Sequence, residues 1–124
     1  MDFDMHDLVT RYVAVWNEPD PVRRREAVAS LWAEDAVERV EETEWRGLPE
    51  LEERVANAYK QLVAEAGFTV TRAGDVFGHH DAVTFTVQLT KDGRVAWEAR
   101  VFLIVGDDDL IRFDYHFTTR EFTP

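Results

Sequence analysis

Three residues at alternate positions near the chain's end, Arg112, Asp114 and His116, carry a guanidinium, a carboxylate and an imidazole. On an extended segment they share one side. They supply the parts of a proton-transfer or water-activating site. The carboxylate can act as a base, the imidazole exchanges a proton near neutral pH, and the cation favours the charged form of the base. Ile111, Phe113, Tyr115 and Phe117 take the other side. The preceding apolar segment repeats the pattern, with Glu98 and Arg100 opposite Val95, Trp97, Ala99, Val101 and Leu103. Ordinary alternation puts the apolar side in the core and the charged side in solvent. If the charged side faces inward instead, Asp114 and His116 stand about 6–7 Å apart at their bases. That spacing suits a shared substrate or a bridging water better than a direct pair.

The elements that must position these residues can be read from periodicity. Met5, Leu8, Tyr12 and Trp16, widened by Val9 and Val13, mark an amphipathic helix. Asn17-Glu18-Pro19-Asp20-Pro21 stops it, and Asp20 then caps a second helix with Pro21 in its first turn. Val28, Leu31 and Trp32 form that helix's buried face, and Asp35-Ala36-Val37 leads into a short strand. A third, longer helix opens at Gly47-Leu48-Pro49. It repeats Leu48, Leu51, Val55, Tyr59, Leu62 and Ala66, and ends at Gly67. Glu50 and Arg54 have the spacing of an exposed i,i+4 pair.

From Phe68 the period is two. Strands are expected at Phe68–Arg72, Ala82–Thr90, Val95–Val105 and Leu110–Thr118. Gly74 marks a bend, and Asp92-Gly93 a type I′ hairpin turn. The sum is one α+β domain over residues 1–124, with helices against one face of a curved sheet.

Composition narrows the function classes. The net charge of −11, with no basic stripe, excludes nucleic acid as the expected partner. The run Arg23-Arg24-Arg25 and the cluster Glu38, Glu41, Glu42 and Glu44 read as solvated faces. No apolar run reaches membrane-spanning length, and the acidic start Met1-Asp2-Phe3-Asp4 lacks a signal-peptide layout. The absence of cysteine removes thiolate chemistry and disulfides, and a cytoplasmic setting is the default expectation. His79-His80-Asp81 falls in a turn, without the ligand spacing of a metal motif, so neither metal nor cofactor is expected.

Tyr12 and Asn17, the segment Leu31-Trp32-Ala33-Glu34-Asp35-Ala36-Val37 and the closing hairpin Val101–Phe117 resemble the nuclear-transport-factor-2-like superfamily and, within it, the SnoaL-like proteins. The resemblance covers nearly the whole chain. It implies a cone in which a strongly bent antiparallel sheet wraps the long helix around a pocket. It also implies a homodimer through the outer sheet face. Tyr12 matches the oxyanion-binding tyrosine of ketosteroid isomerases, but Val40 stands where their base would be and Arg100 where their second donor would be. The chain's end is similar to limonene epoxide hydrolases, with Asp114 as their water-activating aspartate, or His116 in a register two residues along. The partner positions of that set, Val87 and Leu89, are apolar. Asp114 is also a counterpart of the general acid/base of polyketide cyclases.

The resemblance turns the charged side of the last two strands inward and puts Trp97 and Phe113 on the outer face. It implies Asp114, His116 and Tyr12 as catalytic residues, with Arg100, Arg112, Glu98, Trp16 and Trp32 around the substrate. The expected ligand is a small apolar organic molecule, polyketide- or terpene-like. The reaction would be a cyclisation, isomerisation, dehydration or epoxide opening. The alternative is a pocket that binds without catalysis.

Overall fold

The N-terminal third folds largely as its apolar spacing predicts, but Trp32, expected on the buried face of the second helix, opens the first strand instead. In the computed structural model, which describes residues 3–124, helix α1 spans Met5–Asn17 and α2 spans Pro21–Leu31. Met1 and Asp2 of the acidic N-terminal run lie outside the described residues. The Asp4 carboxylate caps α1 by accepting from the backbone N–H groups of His6 and Asp7, and Asp20 does the same for Val22 and Arg23 of α2. A cap is worth about 1 kcal/mol. Helix α1 buries Leu8, Val9, Tyr12, Val15 and Trp16, each worth about 1.5–3 kcal/mol. Packing therefore holds this helix more than capping does.

Strands β1 (Trp32–Val40) and β2 (Thr43–Arg46) follow, then α3 (Gly47–Ala58). The apolar repeat predicts one continuous helix to Ala66, but from Tyr59 to Glu65 the chain winds as a π-helix. That wider turn rotates less per residue, and adjacent Leu62 and Val63 both reach the interior cavity. Gly67, at φ +80°, ends the helix.

Strands β3 (Thr69–His79), β4 (Ala82–Lys91), β5 (Arg94–Val105) and β6 (Ile111–Arg120) complete an open six-stranded sheet in the order β2-β1-β6-β5-β4-β3. Every pairing is antiparallel except β1–β6, which is parallel. Asp92 and Gly93 both have positive φ, 53° and 75°, as a type I′ turn requires. Gly74 lies in the β3 register break between Ala73 and Phe77. Asn17 closes the helix layer onto the sheet: its side-chain amide donates to the Val70 carbonyl at 2.8 Å and accepts from the Val70 N–H at 2.9 Å.

The two C-terminal strands divide their faces differently. On β5, Ala99, Val101 and Leu103 are buried, while Arg100 and Phe102 face outward. On β6, Asp114 and His116 are buried, while Phe113 and Phe117 are exposed. The pairs Leu103–Asp114 and Val101–His116 stand directly opposite each other. One face of the sheet thus mixes aliphatic and ionisable groups inside the cone.

Candidate functional site

The parallel pairing of β1 with β6 creates the site. It sets Glu38 beside Asp114, and Val40 beside His116. Glu38 and Asp114 are wholly inaccessible to solvent, and His116 is 6% exposed. Helix α1 lays Tyr12 across them. The Tyr12 hydroxyl donates to Asp114 Oδ2 at 2.8 Å and lies 2.7 Å from His116 Nε2. The same nitrogen is 3.0 Å from Asp114 Oδ1 and 3.3 Å from Glu38 Oε2. From α3, Arg54 Nε donates to Glu38 Oε1 at 3.2 Å. The Arg54 guanidinium lies 4.2 Å from the Trp45 ring centre and 5.1 Å from that of Trp16, so two indole faces help to fix it.

Electrostatics ties the group together. Burial pushes the Glu38 carboxyl above the usual carboxylate range, and the Asp114 charge adds to this against Arg54 and His116. Burial alone would lower the His116 imidazole, but the charge and hydrogen bond of Asp114, then the charge of Glu38, hold it above its ordinary value. The Tyr12 phenol is pushed well above its ordinary value by burial first, then by the charges of Asp114 and Glu38. Tyr12 is therefore a hydrogen-bond donor at neutral pH.

The polar cluster meets a cavity of about 230 Å³. Tyr12, Trp16, Arg54 and His116 border it on the polar side, and Leu62, Val70, Leu89 and Trp97 are among its apolar walls. The volume lies below the roughly 300–1,000 Å³ of pockets for drug-sized ligands. At interior packing density it holds a ligand on the order of ten non-hydrogen atoms.

Measured against the sequence, the structure brings Tyr12, Asp114 and His116 together and leaves the supporting residues elsewhere. Asp114 and His116 touch directly, whereas their spacing along the strand predicts a gap. Both side chains lean toward Tyr12, which closes it. Arg100 faces outward and donates to the hydroxyls of Thr84 and Thr86 at 3.0 and 3.3 Å. Glu98, also outside, accepts from Gln88 and Thr119. Arg112 falls at the register break that pairs Ile104 with Phe113 and Val105 with Ile111, and it bonds Asp35 and Asp108 instead of Asp114. Trp97, expected on the outer face, borders the cavity, because β5 turns its apolar side inward. Trp16 also borders it. Trp32 is core packing behind Tyr12, with ring centres 5.5 Å apart.

Two members of the cluster escape the sequence reading. Glu38 sits among surface glutamates in the chain, and only Glu41, Glu42 and Glu44 of that run are exposed. The available signal is the two-residue spacing of Ala36, Glu38 and Val40, which on a strand places the carboxylate between two apolar neighbours. Arg54 carries no such signal: its expected partner Glu50 accepts from the Arg46 backbone instead.

No protein-family model matches this chain, and no curated protein does. Solved structures do match. A candidate isomerase of the SnoaL-like family from Agrobacterium tumefaciens str. C58 is 22% identical with a TM-score of 0.84, covering 93% of this chain and 97% of its own. A candidate polyketide cyclase from Sinorhizobium meliloti is 15% identical with a TM-score of 0.68, over 90% and 94%. A protein of ketosteroid isomerase-like fold from Catenulispora acidiphila DSM 44928, in complex with trimethylamine, is 17% identical with a TM-score of 0.67, over 90% and 84%. At these identities the likeness speaks of architecture, and the chain has the α+β cone fold of the SnoaL-like and nuclear-transport-factor-2-like proteins.

Proposed function

We propose that this protein binds a small, largely apolar organic molecule in its cone and moves a proton on it. The observation that carries this reading is the convergence of Tyr12, His116, Asp114 and Glu38 within hydrogen-bond or ion-pair distance at one wall of an otherwise apolar cavity. His116 and Tyr12 border the cavity, whereas Asp114 and Glu38 lie behind them. The catalytic roles divide accordingly. His116 takes the proton at Nε2, where Asp114 Oδ1 and Glu38 Oε2, at 3.0 and 3.3 Å, stabilise the imidazolium that forms. With a ligand bound, the Tyr12 hydroxyl turns from Asp114 to donate to the oxygen on which negative charge develops. Asp114 thus acts through His116, in place of the direct base that the last strand suggests.

Two of the neighbours are named as a candidate isomerase and a candidate polyketide cyclase, and proton transfer at carbon is a reaction class that such names fit. A fold carries many functions, so they support the reaction class and leave the substrate open. The cavity favours a monocyclic, terpene- or polyketide-fragment-sized ligand over a polycyclic one.

A second reading, binding without catalysis, rests on two observations. Neither carboxylate reaches the cavity, and the wall positions Val87 and Leu89 are apolar. A thermal-shift screen against monocyclic terpenoids, aryl ketones and β-keto acids separates the two. A hit that wild type converts and that Tyr12→Phe converts at least tenfold more slowly supports catalysis. A hit that binds equally to both and is never converted supports the passive pocket.

We also propose a homodimer through the outer sheet face. Phe102 and Phe117 pair edge to face there, Phe113 stacks on Tyr115, and the three phenylalanines are 39%, 56% and 39% exposed in the order Phe102, Phe117, Phe113. Clustered exposed apolar side chains are what such an interface needs.

A further inference from the structure

We infer that Glu38, Asp114 and His116 form a binding site for a divalent transition-metal ion. One oxygen of each carboxylate is already held by a partner outside the triad: Glu38 Oε1 by Arg54 Nε, and Asp114 Oδ2 by the Tyr12 hydroxyl. The second oxygens, Glu38 Oε2 and Asp114 Oδ1, are completely buried and, among the described residues, meet no group except the His116 ring nitrogen that they share. Both point at His116 Nε2, at 3.3 and 3.0 Å, and the three ligand atoms lie within 4.8 Å of one another. Metal–nitrogen and metal–oxygen bonds of about 2.0–2.2 Å around a tetrahedral ion separate its ligand atoms by roughly 3.3–3.6 Å. The observed spacings need only a slight opening to accept one.

A ligating carboxylate whose other oxygen is hydrogen-bonded is the usual outer arrangement of a protein metal site. Two buried acceptors that share one imidazole nitrogen are poorly satisfied, and such acceptors are costly; a cation among the three atoms serves both at once. The Tyr12 oxygen, 2.7 Å from Nε2, is at hand as a fourth ligand on the cavity side. Two carboxylates and one imidazole suit Mn²⁺, Fe²⁺, Co²⁺ or Zn²⁺. Ca²⁺ would demand six or more oxygens, and Mg²⁺ retains its waters. Among the described residues His116 Nδ1 has no hydrogen-bond partner, so the outer hydrogen bond that normally orients a ligating histidine is missing there. Such outer bonds are worth about 10–100-fold in affinity, so binding should be correspondingly weaker than in a fully supported site. The ion and a proton compete for the same Nε2, so the metal-loaded protein would not use His116 as its base; the inference does not depend on proton transfer, because a protein that only binds ligands could hold the same ion.

The test is titration of EDTA-treated protein with Co²⁺, followed by visible absorption and by calorimetry. One saturable site per chain, with the d–d bands of four- or five-coordinate cobalt, is expected. Glu38→Gln and Asp114→Asn should each weaken it more than tenfold. Tyr12→Phe, which frees Asp114 Oδ2, should weaken it about 10–100-fold. Glu44→Gln and the double variant His79→Gln/His80→Gln should leave it unchanged. Circular dichroism checks folding, and if the carboxylate variants fail to fold, Tyr12→Phe decides. No saturable binding would overturn the site, as would binding that survives Glu38→Gln, Asp114→Asn or Tyr12→Phe. Loss of binding in the histidine double variant would also overturn it, because the ion would then sit at the exposed His79–His80 turn.

Discussion

Strands β5 and β6 are antiparallel neighbours with the same alternating pattern, yet they use it in opposite ways. On β5 the aliphatic side packs inside and the charged residues Glu98 and Arg100 make small polar contacts outside. On β6 the ionisable residues go inside and the aromatic ones go out. A strand's own pattern shows that it has two unlike faces, but its partners decide which face is buried. Strand β5 lies between β4 and β6, with Val87 opposite Ala99 and Phe85 opposite Val101, so aliphatic contacts fill its inner side. Strand β6 also pairs with β1, which brings Glu38 alongside Asp114, and α1 supplies Tyr12 above them. The inversion of β6 is stable because its charges find partners there. Buried charges without partners would not be tolerated.

The largest effect should come from removing the centre of that partnership. His116→Leu leaves Asp114 and Glu38 buried side by side without a counter-group between them. Loss of one member of a buried charged set costs about 3–5 kcal/mol, measurable by urea denaturation. Adding Glu38→Gln to His116→Leu should recover a substantial part of that loss. Equal, additive losses would show that the cluster is not coupled.

The outer aromatic side of β6 should give the next effect. Phe117→Asp places a charge where Phe117 meets Phe102. Sedimentation should show dimerisation weakened at least tenfold towards monomer, with the fold kept. A variant that dimerises like wild type would remove this face as the interface. Arg100→Gln on β5 should be nearly silent, within about 0.5 kcal/mol in stability, as expected of a substitution away from buried features.

The smallest effect distinguishes the carboxylates of the two faces by pH. Hydrogen bonds from Gln88, then Thr119, hold the Glu98 carboxyl below its usual range. Its contribution is therefore present above the unfolded-state value and is lost as pH falls through the lower folded-state value. Glu98→Gln should make the acid limb of the stability curve slightly shallower than in wild type. A steeper limb would contradict the assignment. Glu38 is shifted the other way, by burial, so the two glutamates should not respond alike.

The sequence makes most of the architecture legible, because local chemistry determines it. The Asp20-Pro21 start of α2, the Asp92-Gly93 turn and the stripe through Tyr12 and Trp16 all stand where spacing puts them. The π-helix after Ala58 is not visible, since it preserves the apolar residues and changes only their winding. Within the site, Tyr12, Asp114 and His116 are legible by type and parity. Arg100, Glu98 and Arg112 share that parity on paper and lose it to strand pairing and a register break. Glu38 and Arg54 depend on the parallel β1–β6 contact, a long-range pairing that no local pattern reports.

Proton exchange into a bound ligand tests the central claim most directly. A carbon acid found by the thermal-shift screen is incubated in D₂O with wild type, Asp114→Asn and Arg100→Gln, and deuterium incorporation is followed by NMR. Wild type and Arg100→Gln should exchange the ligand's acidic C–H at the same rate. Asp114→Asn should be slower by roughly 10²–10⁴-fold, the usual contribution of positioned acid–base catalysis. Exchange at the wild-type rate in Asp114→Asn, or no exchange in wild type for any ligand that binds, would contradict the inner face of β6 as the working site.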